Sequence, residues 1–282
     1  MPCLRRVSKS SGSRRSKCYE KLESSEQVIK SKIIQSTVSH ADETGLRVEG
    51  KLSWLHATVT SLYTYLFVHN KRGQVALRSH QSILDKLTGW LIHDCWSSYF
   101  SFIGCKHGLC GAHILRELQG LIDNHQSKWA RIFKPFLMNV YQMQFSERVK
   151  RRQHIETRYR KICSLAEKLE PPPAATIGKR GKPKRTKGRN LVERLLREQT
   201  AVLAFAFNKE VPFTNNLAER DIRPTKVKQK ISNCFRTQTG ANIYARIESF
   251  ISTTRKHDYS VFSQLCATFE GGNFLTALMA AK

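Results

Sequence analysis

Acidic residues are scarce in this sequence. Its 282 residues include 22 Asp and Glu against 48 Lys and Arg, so the formal net charge is +26. A surface with this much uncompensated positive charge attracts polyanions, so nucleic acid is the first class of partner to consider and an acidic membrane surface the second. Hydrophobic residues make up 40% of the chain, which is enough for a buried core and excludes wholesale disorder.

Long apolar segments are also missing. The first 18 residues, MPCLRRVSKSSGSRRSKC, are basic and rich in Ser, and they contain no apolar stretch typical of a signal peptide. The uncharged stretch over residues 52–70 is interrupted by Ser, Thr, Tyr and His, so it favours strands over a membrane span. Eight scattered cysteines fit a reducing compartment. We therefore expect a cytoplasmic protein with free thiols and no membrane partner.

The first third of the chain has the pattern of a sheet. β-Branched and aromatic residues are concentrated in residues 38–48, 52–60 and 62–69, which predicts three sequential antiparallel strands. Apolar spacing then predicts a helix over residues 74–87 and a short strand over residues 90–92. The order of three strands, a helix and a strand is that of the first half of a ribonuclease H-like fold.

Beyond residue 108 the apolar spacing becomes helical. The predicted helices run over residues 110–125, 129–145, 146–170 and 190–207. The chain is thus predicted to be an α/β protein, a ribonuclease H-like mixed sheet with a large all-α insertion. Its predicted segments are a basic flexible tail (1–24), the first half of the core (25–108), the helical insertion (109–207), and the second half of the core with C-terminal helices (208–282).

A basic segment bounded by prolines, residues 171–189, interrupts the predicted insertion. It has no acidic residue, so it cannot pack a core and is either a linker or a loop that contacts phosphates. Its basic residues are Lys179, Arg180, Lys182, Lys184, Arg185, Lys187 and Arg189.

Three acidic residues lie in positions that could form one site. Asp42 lies in the first predicted strand, within HADETG; Asp94 ends the short strand; and Glu219 lies in a predicted helix. Each has a structural alternative: a solvent-exposed strand end, a turn cap, and a capping box with Asn216. Together, carboxylates on two strands and a helix are what a two-metal phosphoryl-transfer site needs, because hard oxygen ligands hold divalent cations. Strand alternation places Glu43 on the opposite face from Asp42.

Several ordered motifs resemble one family. They are HADETG, HDCWSSYF, HGLCGAHILREL, VPFTNNLAERDIRPTKVKQKISNCFRTQTGA and YARIESFISTTRKH. From about residue 25 to the end, the chain resembles the catalytic region of bacterial insertion-sequence 66 family DDE transposases. The resemblance implies a ribonuclease H-like core with Asp42, Asp94 and Glu219 as the catalytic triad. It also implies Mg²⁺ or Mn²⁺ as cofactor and metal-dependent cleavage and strand transfer of DNA.

The same resemblance implies the partners. They are DNA, as transposon ends and target, a second copy of the chain on that DNA, and accessory proteins of the element; the expected location is the cytoplasm, associated with the nucleoid. Members of the family carry a long segment before the DETG motif, whereas 41 residues precede Asp42 here. We therefore expect an N-terminally truncated catalytic region. Two alternatives stay open: a catalytically silent DNA-binding remnant, and a ribonuclease H-like nuclease without strand transfer.

A basic cluster follows Glu219 closely in the sequence. It could clamp the phosphates of the cleaved strand beside the metals, or it could be an exposed basic helix face. Its members are Arg220, Arg223, Lys226, Lys228, Lys230 and Arg236.

Four residues with zinc-binding side chains occur close together: Cys105, His107, Cys110 and His113. Their spacing is tighter than in the usual two-knuckle sites, which argues against a structural Zn²⁺. Within the family, Cys110 and His113 are the characteristic pair. Spaced i, i+3, they share a helix face and could instead orient the region around Asp94.

Overall fold

The computed structural model describes residues 6–173 and 185–280, and it separates the chain into two compact units. The first unit comprises the described residues up to Lys106 and from Asn216 onwards, and the second unit comprises the described residues between them. Within the described residues, no helix is both long enough and apolar enough to cross a lipid bilayer.

A mixed sheet forms the centre of the first unit. The strands are β1 (Val38–Val48), β2 (Lys51–Val59), β3 (Thr64–His69), β4 (Trp90–His93) and β5 (Lys106–Leu109). Their order in the sheet is β3-β2-β1-β4-β5, so β1 is the middle strand; only the first residue of β5 belongs to this unit. β1 pairs antiparallel with β2, β2 pairs antiparallel with β3, and β1 pairs parallel with β4. The predicted antiparallel strands and the short fourth strand are confirmed.

The helices connect and cover the strands. In chain order they are α1 (Arg6–Lys21), α2 (Glu23–Ile34), α3 (Gln74–Leu77), α4 (Gly111–His125), α5 (Lys128–Gln142), α6 (Phe145–Lys150), α7 (Arg152–Leu169), α8 (Lys187–Arg197), α9 (Gln199–Val202), α10 (Ala204–Phe207), α11 (Asn216–Ser232), α12 (Gln238–Lys256), α13 (Val261–Glu270) and α14 (Phe274–Ala280). Helices α4 to α10 belong to the second unit, and the others belong to the first.

Apolar clusters bury both faces of the sheet, and α12 contributes to each of them. On one face, Ala41 of β1 belongs to an apolar cluster with Val28 and Ile29 of α2. On the other face, Leu46 of β1 belongs to a second cluster with Ala218 of α11. Because side chains alternate along a strand, even-numbered positions near the end of β1 face α11 and odd-numbered positions face α2.

Within the predicted tail, residues 1–24, the described residues mostly form the helix α1. Leu22 is fully buried, and the guanidinium of Arg246 in α12 lies 3.7 Å from the centre of the Tyr19 ring. Arg246 also donates a hydrogen bond to the Tyr19 carbonyl at 2.9 Å. The end of this basic segment is therefore held by packing against distant residues, which its local composition does not encode.

The predicted helix over residues 74–87 is also wrong. After α3 the chain forms short turns, in which the Ser79 amide bonds Ala76 and the Ser82 amide bonds Ser79. The Ser82 hydroxyl also accepts from the Leu84 amide, and such local side-chain bonds compete with a continuous helix. The apolar side chains behind the prediction, including Leu84, are nevertheless buried in the core.

The second unit is helical and has an aromatic core. In α5, Phe133 makes edge-to-face contacts with Trp129 and Phe136. Phe133 and Phe136 also contact Tyr159 of α7 in this way. The Tyr159 hydroxyl donates to the carbonyl of Leu195 in α8 at 2.7 Å, which satisfies a buried polar group. The predicted helix over residues 146–170 is two helices here, α6 and α7, and the helix over residues 190–207 is three, α8 to α10.

Gly89, which precedes β4, is a site where a methyl group is expected to destabilise the fold. A Cβ there would lie 2.4 Å from the Thr37 carbonyl oxygen and 2.7 Å from that of Ser36, and backbone cannot move aside cheaply. We expect Gly89→Ala to lower the free energy of unfolding by about 1–3 kcal/mol, the usual cost of overpacking, as measured by urea denaturation.

The matched control is Gly120→Ala in the middle of α4. A Cβ at Gly120 would have no atom within 4 Å, and alanine favours the helix by about 0.5–1 kcal/mol. Equal effects of the two substitutions would contradict the close approach at Gly89.

Candidate functional site

Asp42 and Asp94 lie at corresponding positions on adjacent parallel strands. The register pairs Val38 with Trp90 and His40 with Ile92, so each aspartate lies two residues beyond the last pair. This register places both carboxylates at the same end of the β1 and β4 pair.

Glu219 reaches the same region from α11, where it lies in the first turn of the helix. Its neighbour Ala218 packs in the apolar cluster on one face of the sheet. Even-numbered residues of β1, which include Asp42, point to that same face. The charges of Asp94 and Glu219 both act on Asp42. Asp94 and Glu219 thus both lie within electrostatic range of Asp42.

The electrostatics of this carboxylate cluster are unfavourable in the absence of a cation. Burial and the charge of Glu43, followed by the charges of Asp94 and Glu219, raise the pKa of Asp42 to about 7. A hydrogen bond from the Glu43 amide to Asp42 Oδ1, 2.9 Å long, opposes this shift. A divalent cation would relieve the repulsion, because close carboxylate oxygens are its preferred ligands. The donor set therefore fits Mg²⁺ or Mn²⁺.

The raised pKa of Asp42 predicts a pH-dependent cost in stability. The carboxyl titrates near 3.8 when unperturbed and near 7 in the folded protein, so folded protein binds an extra proton between these values. The stability of metal-free protein should therefore fall as pH rises from about 4 to 7, by on the order of 2–3 kcal/mol from this group.

Asp42→Asn isolates this contribution from those of other acids. In urea denaturation with EDTA, the free energy of unfolding of the variant should rise relative to that of the original protein as pH rises. The difference should become constant above about pH 7. A difference that is the same at pH 4.5 and pH 8 would contradict the raised pKa.

Glu43 points to the opposite face of the sheet from Asp42, and this agrees with the prediction from strand alternation. Its carboxylate accepts a hydrogen bond from Tyr99, which belongs to the apolar cluster on the α2 side of the sheet, and it pairs with Arg72. Sequence reasoning missed Arg72 and Tyr99 as neighbours of the site. Tyr99 lies in the HDCWSSYF motif, which is the one signal that could have drawn attention to it.

The Asp94 carboxylate also has a local role. Its Oδ1 accepts a hydrogen bond from the Trp96 amide at 2.9 Å, which is the turn-capping contact considered as the structural alternative. A carboxylate has two oxygens and several lone pairs, so capping the turn does not prevent Asp94 from binding a metal.

The basic residues after Glu219 lie on and just beyond α11. Five of the six are exposed: Arg220, Arg223, Lys226, Lys230 and Arg236. Lys228 is half-buried, and its ammonium lies 5.6 Å from the centre of the Phe235 ring and 5.4 Å from that of Tyr244. The exposed members can reach a polyanion, whereas Lys228 is engaged with two aromatic rings.

The basic residues of the second unit are only partly described. Lys179, Arg180, Lys182 and Lys184 lie outside the described residues. Arg185 and Arg189 both pair with Glu193, at 2.5 Å and 2.8 Å, while Lys187 is exposed at the start of α8. Arg189 also donates to the Glu170 carbonyl at 3.1 Å, so its guanidinium connects the end of α7 to α8.

Two of the four possible zinc ligands, Cys105 and Cys110, make hydrogen bonds within the protein. The Cys105 thiol donates to the Phe102 carbonyl at 3.3 Å, and burial raises its pKa to about 11, which disfavours the thiolate that binds metal. The Cys110 sulfur, at the start of α4, accepts from the Asn215 amide at 3.2 Å. His113 follows in the first turn of the same helix.

Comparison with known proteins identifies one family. The sequence profile described as the transposase IS66 family matches residues 12–243, which is most of the chain. Searches of curated proteins and of solved structures returned no match.

Proposed function

The chain belongs to the transposase IS66 family, and on that basis we propose that it is a metal-dependent DNA transposase with a ribonuclease H-like catalytic core. The observation that carries the proposal is the set of three carboxylates: the charges of Asp94, just after β4, and of Glu219, in α11, both act on Asp42 of β1. Family membership alone would be equally compatible with a protein that has lost its catalytic residues.

Asp42, Asp94 and Glu219 would hold the Mg²⁺ or Mn²⁺ ions. When bound, such ions activate the attacking oxygen and stabilise the leaving oxygen of an in-line displacement at phosphorus. The contribution of the protein is to fix the three carboxylates on packed elements and to keep Asp42 largely out of solvent. The exposed cations of α11, such as Arg220 and Arg223, would bind DNA phosphates and offset the charge of the polyanion.

Two displacements would follow one another in this site. In the first, water attacks a phosphodiester at the transposon end, and the broken P–O bond leaves a 3′-OH. In the second, this 3′-OH attacks a phosphodiester of the target, forming a new P–O bond and releasing a target 3′-OH. Both are displacements at phosphorus, so the same carboxylates can serve both. We further propose that the protein acts as a homo-oligomer on DNA, with accessory proteins of the element.

The test is incubation of the purified chain with labelled DNA that carries the terminal repeats of its element, in the presence of Mn²⁺ or Mg²⁺. Cleaved ends and products joined to target DNA are expected. Cleavage without joining would identify a nuclease that lacks strand transfer. Binding without any cleavage at any metal concentration would identify a DNA-binding remnant and overturn the proposal of catalysis.

The basic face of α11 gives a separate prediction about DNA affinity. Arg220→Gln and Arg223→Gln should each weaken binding to all duplex sequences alike and lower the slope of log K against log[salt] by about 0.9. The measurement is fluorescence anisotropy at several salt concentrations. Lys150→Gln, an exposed residue of α6 in the second unit, is the control and should leave the slope unchanged. Unchanged slopes in all three variants would show that Arg220 and Arg223 of α11 do not contact DNA phosphates.

A further inference from the structure

Glu43 is an acidic residue next to Asp42 that cannot share the role of Asp42. Its Oε1 accepts two hydrogen bonds from Arg72, 2.8 Å from Nε and 2.6 Å from Nη2. Its Oε2 accepts one from the Tyr99 hydroxyl at 2.6 Å, and the side chain is only 2% exposed. Both oxygens of Glu43 are thus committed to protein donors, and neither is directed to a metal ion.

The two partners of Glu43 lead to the segment that carries Asp94. Tyr99 lies five residues after Asp94, in a single helical turn. The Arg72 guanidinium lies between two indole rings, 4.8 Å from the centre of Trp54 on β2 and 4.4 Å from that of Trp96. Trp96 is therefore fixed on one side by Arg72 and on the other by an edge-to-face contact with Tyr99, at 5.5 Å.

The contact between this network and the candidate site is the Trp96 backbone. The Trp96 amide donates to Oδ1 of Asp94 at 2.9 Å, so the position of Trp96 sets the orientation of that carboxylate. The connection runs from Glu43 through Arg72 and Tyr99 to Trp96, and from Trp96 to Asp94. It spans β1, β2 and the segment after β4, all within the first unit.

We propose that Glu43 is a positioning residue: through Arg72 and Tyr99 it holds the segment after β4 so that Asp94 presents its carboxylate to the metal. The inference rests on the proposed metal site and assigns a function to an acid that is not part of the triad.

The experiment uses the full chain and three variants: Glu43→Gln, Arg72→Lys and Tyr99→Phe. Glutamine keeps the size of the side chain but removes the charge that pairs with Arg72. Lysine keeps the positive charge but loses the planar group between the indole rings. The control is Arg152→Lys in α7, because Arg152 also pairs with a glutamate (Glu156, 2.9 Å) and stacks on an aromatic ring (Phe207, 4.8 Å).

The first readout is hydrogen exchange in metal-free protein, which does not depend on activity. The Trp96 amide should exchange at least about tenfold faster in the three variants, while amides in the middle of β1 and β2 keep their original rates. Arg152→Lys should leave the exchange of Trp96 unchanged. If amides throughout the first unit exchanged faster to the same extent, the proposal would be overturned, because Glu43 would then contribute only to general stability.

The second readout is the Mn²⁺ dependence of DNA cleavage. Loss of a residue that orients a metal ligand typically costs about 10–100-fold in metal affinity or activity. We expect the half-saturating Mn²⁺ concentration to rise by this factor in Glu43→Gln, with cleavage largely restored at saturating Mn²⁺. An unchanged Mn²⁺ dependence, or a loss that saturating Mn²⁺ does not restore, would overturn the positioning role. If the original protein cleaves no DNA, the proposed function fails, while the hydrogen-exchange result still decides whether Glu43 orders Trp96.

Discussion

Asp42→Asn should abolish metal-dependent DNA cleavage, with a loss of more than about 100-fold, because residues that merely orient metal ligands already cost 10–100-fold. The amide removes the negative charge of Asp42 while keeping the shape of its side chain. Asp94→Asn and Glu219→Gln should have effects of the same order. The measurement is the rate of strand cleavage on labelled DNA at saturating Mn²⁺.

The same substitution should increase stability while it removes activity. Partial burial and the charges of Glu43, Asp94 and Glu219 disfavour the ionised form of Asp42, so its replacement relieves repulsion in metal-free protein. A variant that is inactive but at least as stable as the original at pH 8 would separate catalysis from folding. Cleavage at the original rate in Asp42→Asn would show that the site lies elsewhere, and the proposed triad would have to be abandoned.

The strands could be predicted because their information is local. β-Branched and aromatic residues define β1 to β4, and two positive φ angles at Glu49 and Gly50 form the tight turn that sets the β1 and β2 register. Alternation along β1 then assigned Asp42 and Glu43 to opposite faces. The α/β class and the opposite orientations of Asp42 and Glu43 therefore followed from short sequence windows. The ribonuclease H-like assignment stays a prediction.

The features that sequence reasoning missed depend on contacts between distant residues. Arg72 and Tyr99 meet Glu43 across 29 and 56 positions of the chain, and neither has a local pattern that reveals it. The packing of α1 depends on Arg246, more than two hundred residues away. Such contacts arise only once the sheet and its covering helices have been placed.

The helix that carries Glu219 is attached to the sheet by a buried ion pair. Asp221, two residues after Glu219, accepts from Lys256 of α12 at 2.5 Å and from the Thr64 hydroxyl at 2.6 Å. Lys256 also donates to the carbonyls of Thr60 and Tyr63, before β3. The Asp221 and Lys256 side chains are only 5% and 7% exposed, so α11, α12 and the connection between β2 and β3 share one desolvated charge cluster.

Breaking this pair from one side should destabilise the first unit strongly. Lys256→Met removes the closer cation of the buried Asp221 and leaves only the exposed Arg220, whose Nε lies 3.8 Å from Asp221 Oδ1. Removing one partner of a buried pair typically costs about 3–5 kcal/mol. We expect a loss of that size in urea denaturation at pH 7. Asp221 lies two residues after Glu219 in α11, so the start of this helix should also become less ordered. Amides in the first turn of α11 should therefore exchange faster in metal-free protein.

Replacing both partners tests whether the ion pair itself stabilises the protein, or whether each charge is needed only because the other is buried. Asp221→Leu combined with Lys256→Met should recover most of the loss, because well-packed apolar residues often replace a buried ion pair without net cost. The control is Arg151→Ala, which breaks an exposed pair with Glu147, 57% and 43% exposed, and should cost less than about 1 kcal/mol. A single variant as mild as this control would mean that Asp221 takes up a proton or reaches water when Lys256 is removed. The position of Glu219 would then depend on the apolar contacts of Ala218 and Ile222 rather than on the buried charge pair.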